Sequence, residues 1–184
     1  MRQPRFELGS QRWQRRILTT KLLAHILKFH RKLFKYVSYL KLMMNWNKCR
    51  DYGLLPLRLA LGIVFLMHGS QKVFGLFGGP GLDGTINFVS SLGFPVPALF
   101  GILLAFVELL GGLSILLGFF ARYFSLLIIV DMLLALLLVH YKNGFFAGNN
   151  GYELVFVLLL GALSIVMLGT KKWSLDKALF NKEF

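Results

Sequence analysis

The sequence predicts an all-α integral membrane protein: a four-helix bundle with both termini cytoplasmic, preceded by a basic amphipathic helical arm. Three observations carry that prediction. Of 184 residues, 56% are hydrophobic and only 16% charged, whereas soluble domains run nearer to a quarter charged. Apolar stretches of membrane-spanning length recur from Leu54 onwards, with too little amphipathic periodicity for a soluble bundle. The net charge of +13 is also unevenly spread. Residues 1–50 hold thirteen Lys/Arg and one acid, Glu7, while the rest of the chain is nearly neutral, with a net of +1.

The arm comes first, as residues 1–50. From Gln11 to Met44 it has no Pro or Gly, so a helix is permitted. Ile26, Leu33, Val37, Leu40 and Met44 share one face, and Lys21, His25, Lys28, Arg31, Lys32 and Lys35 crowd the other. Such a helix suits the headgroup region of anionic lipid. It lacks the apolar core of a signal peptide; a transit-type presequence is a weaker match. Met43 and Met44 stand just before the first apolar run, so translation starting there would make the arm dispensable. No aromatic-basic motif supports nucleic-acid binding. The single cysteine, Cys49, excludes an internal disulfide, a redox pair and a thiolate zinc site; no metal site is expected.

The body, residues 51–184, divides into spans at about 54–77, 98–120, 123–141 and 153–169. A hydrocarbon core takes about 20 helical residues, and each run meets or approaches that length. Lys48, Arg50, Arg122 and the tail lysines Lys171, Lys172, Lys177 and Lys182 put positive charge on one side, which marks both ends as cytoplasmic. The first outer loop, Gly75 to Pro97, breaks at Gly78, Gly79, Pro80, Gly81 and Gly84, then reads as helical over Thr85–Leu92. Ile86, Phe88 and Val89 suit a segment lying on the membrane or tucked over the bundle; a plain connector fits equally well. The second outer loop, Asn143 to Gly151, suits a turn with Phe145 and Phe146 as interfacial anchors.

Charge inside the spans is the functional signal, because a mid-span charge costs roughly 2.5–3.5 kcal/mol on insertion scales. Arg58 and Arg122 lie near span ends and can snorkel. Glu108 and Asp131 lie about 15 Å deep on consecutive antiparallel helices. Two such carboxylates at one depth need a cation or water. Arg58, His68 and Lys72 follow one stripe of the first span, with Gln71 beside it. His140 and Glu153 approach from spans three and four. The simplest packing gathers all of these into one polar funnel opening outwards. Gly111 and Gly112, one turn after Glu108, permit close helix approach. The same residues also suit an ion-pair network that only fixes helix register; His140 alone suits the interface, and Glu153 the N-terminus of span four. There is no phosphate loop, no His-Glu-x-x-His and no assignable Ser-His-Asp set. A haem pair of His68 with His140 is unsupported.

The run Leu57-Arg58-Leu59-Ala60-Leu61-Gly62, followed by His68-Gly69-Ser70-Gln71-Lys72 and Phe74-Gly75, resembles the first span of the DoxX family of small membrane proteins. Gly93-Phe94-Pro95, Val107-Glu108-Leu109-Leu110-Gly111-Gly112, Asp131-Met132, His140, Asn143-Gly144-Phe145-Phe146 and Gly151-Tyr152-Glu153 extend the resemblance from about Leu54 to Leu179. The arm lies outside the family's usual extent. The resemblance implies a four-helix protein of the bacterial inner membrane. It also implies redox physiology, since a related family contributes a subunit to a quinone-linked thiosulfate-oxidising enzyme.

Two functions follow as expectations. In the first, the chain is a component of a membrane oxidoreductase system. A quinone or similar small redox partner is its substrate, and a partner subunit or external donor supplies electrons. His68, Lys72, Glu108 and Asp131 would form the catalytic pocket, with Arg58, Gln71, His140 and Glu153 binding substrate. In the second, a small transporter, proton pathway or assembly scaffold uses the same funnel. The lipid bilayer is the expected surrounding, a homo-oligomer is compatible with either function, and no cofactor can be named.

Overall fold

The computed structural model describes the backbone of residues 6–43, 52–182 and 184; within the first stretch it describes the side chains of residues 21–40. Met44, Lys48, Cys49 and Arg50, named above for the start site, the thiol and the charge bias, lie outside the described residues. The chain divides into two compact units, Met1–Cys49 and Arg50–Phe184.

The first unit is a single helix, α1 (Phe6–Met43). It begins earlier than the Gly-free stretch predicts and takes Gly9 into its first turn, where a glycine costs about 1 kcal/mol or less. Residues 21–40 are exposed throughout this helix, including Ile26, Leu33, Val37 and Leu40.

The second unit is all-helical among its described residues. Pro56 opens α2 (Leu55–Phe74) and Gly75 closes it, in the left-handed conformation (φ 67°) that allows its N–H to reach Gln71 O at 3.1 Å. A 3₁₀ turn, Leu76–Gly78, leads into α3 (Gly81–Ser91), bent by 102° from α2. Of the arrangements open for the segment between the first two apolar runs, α3 takes the tucked one. Thr85 and Val89 are buried, and Ile86 packs over Gly101 of the next helix. Pro97 opens α4 (Pro97–Leu117) and left-handed Gly118 closes it. Next come α5 (Ala121–Leu134), continued by a π-helical segment, Ala135–His140, and a 3₁₀ turn, Tyr141–Asn143. Then follow α6 (Glu153–Leu168) and a short α7 (Leu175–Phe180), where the Ser174 hydroxyl accepts from Lys177 N–H at 3.3 Å.

Helix α2 packs along α4, α6 along α5, and α3 against α4. Glycine permits the first contact. A Cβ at Gly69 would strike the backbone of Leu109, and one at Gly112 the Phe65–Leu66 peptide. Around this seam Phe65, Ile115, Ile128, Ala162 and Ile165 make a core with almost no solvent exposure.

Two helices are long and apolar enough to cross a membrane, Pro97–Leu117 and Ala121–Asn143. The bent pair α2 and α3 makes a third if it is one broken span. Helix α6 is apolar but has 16 residues, a rise of about 24 Å against a hydrocarbon core of roughly 30 Å. Large apolar side chains such as Leu103, Leu127, Val130, Leu137 and Val157 stand exposed along these helices. Lipid is the solvent that suits such a surface.

Candidate functional site

The polar centre of the second unit joins three helices. Lys72, in the last turn of α2, pairs through Nζ with Glu108 Oε2 on α4; the two side chains are 21% and 5% exposed. Asp131 on α5 has Glu108 and Lys72 as its charged neighbours. Asp131 is 8% exposed, and its Oδ2 has no hydrogen-bond partner among the described residues. Helix α3 supports the lysine end. The Thr85 hydroxyl donates to Gly81 O at 2.8 Å and lies 3.4 Å from Lys72 O.

Asp131 also lines a cavity of about 320 Å³ between α3, α4 and α5. The rest of its lining is apolar, with Phe88, Val89, Phe94, Val107 and Leu134 among the walls. Several lining side chains, including Phe88, Leu103, Val130 and Leu134, are also exposed, so the cavity meets the lateral surface of the helices. Ala135, Leu138 and Val139 bring the π-helical segment into its wall, one turn beyond Asp131. Such segments are frequent at functional sites. A cavity of this size and apolar lining suits a small apolar molecule.

The remaining expected site residues lie elsewhere. His68 is exposed and stands outside the cluster. It precedes Gly69, which is pressed against Leu109, and so points about 100° away around the helix. Gln71 Nε2 donates to Phe77 O at 3.4 Å in the turn after α2. His140 Nδ1 lies 2.8 Å from Asn150 O, and Glu153 Oε2 accepts from Ala147 N–H at 2.9 Å. Both close the loop between α5 and α6, beside Tyr152, which packs on Tyr141 and Phe145.

Arg58 does not snorkel. It is fully buried and its guanidinium donates to carbonyls of Ile115 (3.0 Å), Leu116 (3.0 Å), Thr170 (3.1 Å), Lys172 (3.3 Å) and Trp173 (3.1 Å). This clamp ties α2 to the end of α4 and to the segment after α6. Nearby, both Asp176 carboxylate oxygens accept from Phe120 N–H at 3.0 Å, and Phe120 has a left-handed backbone (φ 49°). Nothing in the sequence around Asp176 signals this contact; the Gly118–Phe120 break is its only local cue. The apolar cavity also went unforeseen, because its walls are ordinary span residues until α3 folds over them.

The chain is similar to several curated proteins. It is 31% identical over 134 residues to CatD of Bacillus subtilis (strain 168), provisionally named an oxidoreductase, covering 73% of this chain and 92% of that one. The model of the family described as DoxX matches residues 53–141. The chain belongs to the DoxX family. Another relative of this DoxX protein, the inner membrane protein YphA of Escherichia coli (strain K12), is 34% identical over 92 residues, 47% of this chain and 61% of YphA. An uncharacterized membrane protein of Mycobacterium tuberculosis, Rv3486, is 31% identical over 133 residues, covering 67% and 78%. The DoxX match takes in α2 to the π-helical segment, and so all of Lys72, Glu108, Asp131 and the cavity. No solved structure matches the chain.

Proposed function

We propose that this DoxX protein is the membrane component of an oxidoreductase system whose small apolar redox partner, a quinone or a molecule of similar shape, enters the cavity from the lipid. The observation that carries this reading is a nearly buried carboxyl, Asp131, standing in the wall of an otherwise apolar cavity with Glu108 and Lys72 as its charged neighbours. A quinone becomes a quinol by taking two electrons and two protons. A dry site must hand over those protons itself, and a carboxyl near hydrogen-bond reach suits that work. Electrons come from a partner subunit or an external donor. The provisional oxidoreductase name of CatD agrees with redox chemistry.

In the same reading, four crossings place both ends in the cytoplasm of a bacterial inner membrane, with α6 completing the bundle and residues 1–50 a separate basic arm. Asp131 exchanges protons with the ligand, and the Lys72–Glu108 pair stands beside it. Arg58, Gln71, His140 and Glu153 fasten helix ends and loops.

The test is quinone turnover in respiring membranes that carry the full chain, wild type against Asp131→Asn. The expected result is a loss of about tenfold or more in turnover, with the amount of inserted protein unchanged. Normal turnover with altered proton or solute flux would support a transporter instead. Loss of inserted protein alone in both Asp131→Asn and Glu108→Gln would make the cluster an architectural ion pair.

A further inference from the structure

The buried polar side chains of the second unit fall into two layers. Arg58, Ser114, Ser125, Thr170 and Asp176 lie where α2 begins and α4 ends. Thr85, Glu108 and Asp131 lie with Lys72 where α2 ends. From Ser114 to Glu108, and from Ser125 to Asp131, the helix rises about 9 Å. The residues at that intermediate level are apolar and tight: Gly111 packs on Ile128, and Gly112 on Phe65 and Leu66. Phe65 is 1% exposed and Ile128 0%. A proton on Asp131 therefore faces a dry layer on one side. On the other it faces an ion pair whose lysine side chain is 21% exposed against 5% for its glutamate.

We propose that Asp131, Glu108 and Lys72 connect the cavity to water on one side of the membrane only, the side of the α2–α3 turn, and pass protons that way. This rests on the cavity being the site of a proton-coupled redox partner and adds the side with which its protons exchange. In the outward direction the protonated Asp131 gives its proton to the Glu108 carboxylate. Neutral Glu108 then holds the Lys72 ammonium less strongly and releases its proton to water beside it. One proton leaves the cavity, one reaches water, and no electron moves in this step. The titratable groups facing Asp131 are Glu108 from α4 and Lys72 from α2. Helix α3 contributes Thr85 there, and the acid of α6, Glu153, is engaged with Ala147.

Dicyclohexylcarbodiimide, an apolar reagent that modifies protonated buried carboxyls, tests this without any quinone or electron donor. The full chain, as Cys49→Ser with Asn87→Cys on α3, is placed in liposomes whose inner and outer pH are set independently. An impermeant maleimide identifies the molecules with α3 outside, and mass spectrometry reads labelling of Asp131 in them. Raising the pH on the α3 side from about 6 to about 9 is expected to slow labelling roughly fivefold or more, and the same change on the opposite side less than about twofold. In Glu108→Gln the α3-side response is expected to fall below about twofold. Labelling that follows the opposite side, or both sides equally, overturns the proposal, as does a full response in Glu108→Gln. Because no quinone is present, these outcomes are independent of whether the cavity binds one.

Discussion

At the scale of single residues, Arg58 and Asp131 show two ways in which an ionisable group is kept inside a greasy helix pair. Arg58 spends its guanidinium fork on carbonyls left over at the end of α4 and after α6. Hydrogen bonds to a charged group contribute about 1.5–3 kcal/mol each. Lysine has the charge but no planar fork. Arg58→Lys is therefore expected to lower stability by about 2–3 kcal/mol, read as a lower Tm in detergent, and Arg58→Met by more. Neither is expected to change ligand binding at Asp131, since the dry Phe65–Ile128 layer lies between. Asp131 has the opposite character: Oδ2 lacks a hydrogen-bond partner among the described residues, and the residue stands in the wall of an apolar cavity beside the Lys72–Glu108 pair.

At the scale of elements, the α2–α4 seam depends on residues with no side chain. A Cβ on Gly112 would approach Phe65 C to 2.8 Å and Gly62 O to 2.9 Å, against a backbone that cannot yield. Gly112→Val is expected to cost about 1–3 kcal/mol as overpacking, whereas Gly148→Ala, with nothing within 4 Å, leaves the Tm unchanged. Thermal unfolding of the two variants side by side checks this. Much of the element list was legible in the sequence. The apolar runs foretold α4, the long α5 stretch and α6 because length and hydropathy are local properties. The glycine pair after Glu108 foretold a close helix contact, whereas the first span, expected to run to about 77, ends at Phe74, where left-handed Gly75 closes α2. The 102° bend and the fold of α3 over Gly101 were less legible. They depend on which apolar face finds a neighbour, and Thr85–Leu92 alone allowed a surface position, a tuck or a connector.

At the scale of the whole molecule, their distances along each span put Glu108 and Asp131 at one level, and the two acids do come together with Lys72. The single funnel was not readable. Arg58 and Lys72 share a stripe of α2 yet are separated by about 21 Å of helix rise, so one belongs to a structural clamp and the other to the acid cluster. His140 and Glu153 close a loop, and His68 faces outwards, because the tight α2–α4 contact fixes the rotation of α2 through Gly69 and Gly112. What remains at the centre is compact: two acids, one lysine and an apolar cavity, all within the stretch matched to DoxX.

Photo-crosslinking with a photoreactive quinone analogue, applied to the full chain in membranes, probes the cavity itself. Adducts are expected on α3, α4 and α5 at the cavity walls, among them Phe88, Val107 and Leu134. Excess unlabelled quinone removes these adducts, and Asp131→Leu weakens them about tenfold, close to the worth of one lost hydrogen bond. Adducts scattered over positions outside the cavity, indifferent to competitor and to Asp131→Leu, would contradict the cavity as the quinone site.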